Sequence, residues 1–83
     1  MPIREWMAYQ RNRVSIHGYA EEPKRARVYS RMFKDLANGL GGNGPGKWKV
    51  AFDGSHEFIL AKSASMKRLT NAVGVDRPWQ IIS

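Results

Sequence analysis

The sequence predicts an α+β domain in which three helices pack on a small, mainly antiparallel sheet. Three patterns predict it: a strongly two-faced helix over 23–38, a β-hairpin over 47–60, and a short apolar strand at the C-terminal end. Helices are expected at 2–13, 23–38 and from about 63 to 74. The chain of 83 residues is long enough for one small domain and too short for two. We therefore expect a single basic domain over 1–83, with a glycine-rich connector at 39–46.

In the N-terminal stretch, Ile3, Trp6, Met7, Gln10 and Val14 trace one side of a helix, and Arg4, Arg11 and Arg13 can stay solvated. Packing of Trp6 and Tyr9 against a neighbouring helix is the expected role of these rings, ahead of stacking on a base. Val14 to Tyr19 alternates apolar and polar side chains before reaching a strand-weakening glycine, so it reads as a short strand or a connector. If it is a strand, the order from there becomes strand, helix, strand, strand, helix, strand. That is the split arrangement of ferredoxin-like domains, with the first helix as an addition.

The helix over 23–38 divides apolar surface from positive charge. Tyr29, Met32, Phe33, Leu36, Ala37 and Leu40 recur at three-and-four spacing and predict a buried face. Lys24, Arg27, Arg31 and Lys34 fall within about 80° of one another at roughly 100° per residue, and Asn38 continues the row. Pro23 suits the first turn, and Asn38-Gly39 suits a left-handed C-terminal cap.

Five glycines in eight residues follow, at 39–46. The stretch matches a dinucleotide-binding pattern and most of a phosphate-loop pattern. Both patterns work only between a preceding strand and a following helix, whose amides converge on phosphate. Here a helix precedes and a strand follows, so a flexible connector is expected instead.

In the hairpin, Trp48, Val50 and Phe52 alternate with Lys47, Lys49 and Ala51, Asp53-Gly54 provides a turn, and Phe58 and Leu60 resume the alternation. A two-residue loop would place Glu57 among the aromatic side chains. A three-residue loop with Gly54 left-handed places Phe58 and Leu60 there, with Lys47, Lys49, Glu57 and Ile59 on the other face. One face is then expected to join the core and the other to expose its lysines. Ser63-Ala64-Ser65 predicts an N-cap for a helix carrying Met66, Leu69, Ala72 and Val73, and Trp79 and Ile81 are expected to face the core from the last strand.

Composition narrows function. Fourteen Lys and Arg against seven Asp and Glu leave a net charge of +7, whose field favours anionic partners. No segment reaches the ~20 apolar residues of a membrane span, and the N-terminus lacks a signal-peptide run, so a cytoplasmic, intracellular protein is expected. With no Cys, thiolate metal sites and disulfides are excluded, and neither a metal nor a cofactor is expected. The expected function is nucleic-acid binding, to DNA or RNA, through phosphate contacts from Lys24, Arg27, Arg31, Lys34, Lys47, Lys49, Lys62, Lys67 and Arg68. A rival is a protein-interaction module, a small regulator or inhibitor docking on an acidic surface of a larger protein.

A second rival is a ribonuclease with His56 as general base, oriented by Glu57 or Ser55 and assisted by Lys47 or Lys49. Gly54, Ser55, His56 and Phe58 resemble the Gly-Ser-His-x-x-Phe stretch that carries the active-site His of HicA-type mRNA-interferase toxins. Phe58 stands one residue early, and the surrounding elements do not follow that family's order. No catalytic residue is assigned on this basis, and His17, a lone imidazole, is read as structural or surface.

Overall fold

The computed structural model describes residues 15–83. The helix expected at 2–13 lies outside them. The described elements are β1 (Ser15–Tyr19), α1 (Pro23–Leu40), a single 3₁₀ turn (Gly44–Gly46), β2 (Trp48–Phe52), β3 (Glu57–Lys62), α2 (Ser63–Gly74) and β4 (Gln80–Ile81). The α+β class holds, but the count of three helices is corrected: two helices pack on a four-stranded antiparallel sheet among the described residues. The segment read as a strand or a connector does supply a strand over its described residues, Ser15–Tyr19, and that adds the fourth member to the sheet.

The sheet order is β1-β3-β2-β4, with each neighbouring pair antiparallel. This order corrects the ferredoxin-like alternative, which would set the last strand beside the first and both helices on one face. Here β1 and β2 are parallel to each other across β3, and β3 and β4 are parallel across β2. Both crossovers step the same way across the sheet while their strands run in opposite directions. Right-handed connections must then place the two helices on opposite faces.

The two cores agree with that geometry. Phe33, Ala37 and Leu40 of α1 are buried with Ala20, Trp48, Val50, Phe58 and Leu60 on one face. On the other, Met66 of α2 is buried with Ala51, Ile59 and Ala61, and Leu69, Val73 and Trp79 pack around them. Both faces of the hairpin strands are therefore packed against a helix. The expectation that one hairpin face would be solvated fails for this reason, since α2 covers it.

Local chemistry sets the boundaries. α1 runs two residues beyond Asn38 because Leu40 has a buried site, and the chain leaves the helix at Gly41 instead, whose φ of 65° and ψ of −128° suit glycine but are not the left-handed cap expected at Asn38-Gly39; its N–H donates to the Ala37 carbonyl at 2.9 Å. Met32, expected in the buried face, is 51% exposed, as is Val28 at 56%, since both lie on the flank of the helix turned from the sheet. α2 begins at Ser63, where the hydroxyl donates to the Lys47 carbonyl at 3.0 Å and fastens the helix to the sheet rather than capping its own amides. Trp79 packs as expected and its indole donates to the Gly74 carbonyl at 2.7 Å. Ile81 does not: it is 52% exposed at the sheet edge, and Ile82 packs against the α1-side core in its place.

The glycine-rich connector is folded on itself. Trp48 N–H donates to the Gly41 carbonyl at 2.9 Å, and Gly46 and Lys47 donate to Asn43 and Gly44. Gly42 has φ 86°, and a Cβ there would collide with the Gly46 carbonyl oxygen. Gly42→Ala is expected to cost about 2 kcal/mol in a denaturant titration, from the forced backbone change. A loss below about 0.5 kcal/mol would show that the loop is free to rearrange.

Candidate nucleic-acid interface

Burial of the Phe33 side of α1 leaves the opposite side to solvent. Lys24, Arg27, Arg31 and Lys34 are all exposed there, as is Asn38. Among the described residues the ion pairs are both made by Arg77, to Asp53 at 3.3 Å and to Glu57 at 3.6 Å. The cations of α1 are therefore without a carboxylate within ion-pair distance among those residues, and Asp35 stands at the margin of the row without neutralising it. From Lys24 to Lys34, ten steps of the helix, the row extends about 15 Å.

The other expected contacts lie elsewhere. Lys67 and Arg68 belong to α2 and so to the opposite layer. Lys49 faces that layer too, lining a groove with Lys67, Met66, Thr70 and Trp79. Lys47 and Lys62 sit at the end of the sheet remote from the hairpin tip, where α1 finishes, and the Lys62 ammonium stands 6.0 Å from the Trp48 ring centroid. The nine cations thus form an α1 row, a pair at the sheet end, and a group on the far face.

At the upper end of α1 the row meets a cleft of about 610 Å³. Pro23, Ala26, Arg27 and Ser30 form its helix side, and Phe52, Gly54, Ser55 and His56 form its hairpin side. The three-residue loop expected from side-chain parity is what brings His56 here: Phe52 pairs with Phe58, Asp53 N–H donates to the Glu57 carbonyl at 3.1 Å, and Gly54 has φ 91°.

Asp53 organises this loop. Its side chain is 5% exposed, and Oδ1 accepts the backbone N–H groups of Ser55 at 2.9 Å, His56 at 2.9 Å and Glu57 at 3.1 Å, with the Ser55 hydroxyl at 3.3 Å. Arg77 donates to Oδ2 at 3.3 Å. Burial pushes the carboxyl pKa up, but the three amides and the hydroxyl outweigh it and hold the group below the ordinary aspartate range.

His56 is fixed from two further sides. Its Nδ1 lies 2.7 Å from the Ala20 carbonyl oxygen, an acceptor, so Nδ1 carries the proton and the neutral ring keeps Nε2 as an acceptor. Tyr19 stacks on the ring with centroids 5.2 Å apart. Ala20 N–H in turn donates to the His56 carbonyl at 2.9 Å, which ties the entry of α1 to the hairpin tip. His17, by contrast, is exposed, with Nε2 2.8 Å from the Ser15 hydroxyl.

Comparison of the chain with protein-family models, with curated proteins and with solved structures finds no match. Asp53, Arg77 and the cleft residues Ser30 and Phe52 were not legible as site residues. Asp53-Gly54 reads as an ordinary turn, and the partner that anchors it stands 24 positions away at Arg77. No helix among the described residues is long and apolar enough to cross a membrane.

Proposed function

We propose that this protein is a nucleic-acid-binding domain that holds phosphate backbone on the outer face of α1, through Lys24, Arg27, Arg31 and Lys34. The observation that carries the reading is the row itself: four exposed cations aligned on one helix face, with no carboxylate among the described residues close enough to pair with them. Phosphate contacts of this kind release condensed counterions, so affinity falls steeply as salt rises. Contacts to phosphate fix position on the strand and carry no base information. Lys47 and Lys62 extend the positive field at the sheet end, while Lys67 and Arg68 face away and take no part in the same contact.

Labelled DNA and RNA titrated by fluorescence anisotropy at about 50 and 200 mM salt test this. Four phosphate contacts predict a loss of roughly a hundredfold in affinity between the two conditions. Absence of binding at the lower salt would sink the reading and direct the search to an acidic protein surface. RNA cleavage by the wild type that disappears in His56→Ala would instead favour the ribonuclease reading.

A further inference from the structure

We propose that the cleft between the first turns of α1 and the hairpin tip receives one unstacked nucleobase, which makes the ligand a single-stranded nucleic acid. The inference rests on the phosphate-binding reading of the α1 face and adds the form of nucleic acid it selects.

Arg27 connects the two features. It belongs to the cationic row and also lines the cleft, so a phosphate held by Arg27 delivers its own nucleoside to the cleft mouth. The space of about 610 Å³ lies within the range of small-molecule sites and exceeds what a base alone needs. Its walls are mainly apolar, as a base requires: Pro23 and Ala26 on one side and Phe52 on the other. The Phe52 ring stacks on Phe58 at 4.4 Å, which fixes the ring while it stays partly buried and lines the cleft.

The polar groups are few and held in place. His56, locked by the Ala20 carbonyl and by Tyr19, offers Nε2 as an acceptor for an exocyclic amine or a sugar hydroxyl. The Ser55 hydroxyl already donates to Asp53, so it too presents an acceptor outward, and Ser30 supplies a hydroxyl from the helix. A base within a duplex is paired and stacked and reaches such a cleft only after extrusion. An unpaired strand offers its bases directly, and base stacking on aromatic side chains tolerates any sequence.

The test compares three ligands of equal length by anisotropy at low salt: a single strand, the same strand with every base removed to leave abasic positions, and a blunt duplex. Wild-type protein is expected to bind the single strand about tenfold more tightly than the abasic strand. Ser30→Leu, which fills the cleft from the helix side without adding an aromatic face, is expected to erase that margin while leaving affinity for the abasic strand and the duplex within about twofold. Equal affinity of the wild type for the intact and abasic strands would overturn the inference while leaving the phosphate-binding reading intact. Failure to bind any of the three would remove both. Should Ser30→Leu misfold, the comparison of intact with abasic strand uses unaltered protein and decides alone.

Discussion

Asp53→Ala is expected to destabilise the protein by about 3 kcal/mol, the largest effect of any polar substitution among the described residues. Removing the carboxylate leaves the amides of Ser55, His56 and Glu57 without their acceptor at a partly buried turn, and an orphaned buried donor costs roughly 1–3 kcal/mol. Water reaches part of this loop, which keeps the sum near the lower end. The Arg77 pair is lost as well, although its exposed guanidinium contributes little by itself. In a domain of this size the change corresponds to a fall in Tm of about 15 °C. Asp53→Asn keeps an oxygen at the Oδ1 position and is expected to cost about half as much. A thermal scan in which the alanine variant melts within about 2 °C of wild type would show that the loop does not depend on this side chain.

The same group predicts an acid response, with a definite sign. Its folded-state pKa lies below the unfolded value, so the stabilisation is fully present above the unfolded pKa of about 3.9 and is lost as pH falls through the folded one. The stability gap between wild type and Asp53→Asn is therefore expected to be constant from about pH 5 upward and to close below about pH 4. A gap that widened towards acid would contradict the hydrogen-bond assignment.

Reversing charge at Arg27 and Arg31 together is expected to weaken nucleic-acid binding about a hundredfold or more at roughly 50 mM salt. Each reversal removes a phosphate contact and adds a repulsive carboxylate in the middle of the row. Both side chains are exposed, so the fold is expected to persist. The paired control is Lys67→Glu with Arg68→Glu, which makes the same change in net charge on the opposite layer. A long-range field acting through net charge alone would weaken both variants equally. A contact on α1 weakens the first and leaves the second within about threefold.

Much of the scaffold was legible in the chain because its determinants are local. Phe33, Ala37 and Leu40 sit at helical spacing and are buried, and the parity of Phe52 against Phe58 chose the three-residue loop. The faces of the sheet were not legible in the same way. Whether Ala51, Ile59 and Ala61 meet solvent or a helix depends on which edge β4 joins, and a strand of two residues carries no pattern that says so. That single placement moved α2 to the far side and separated Lys67 and Arg68 from the α1 row. The position of His56 depends on the carbonyl of Ala20, 36 residues away, so local sequence offered only a polar turn.

Backbone amide chemical shifts, followed as a short single strand is titrated into labelled protein, map the contact surface. Perturbations are expected on 24–34 of α1 and 52–56 of the hairpin tip, with 67–70 of α2 unchanged. Shifts confined to the α2 layer and its groove around Lys49, or no shifts at saturating oligonucleotide in low salt, would contradict binding on the α1 face.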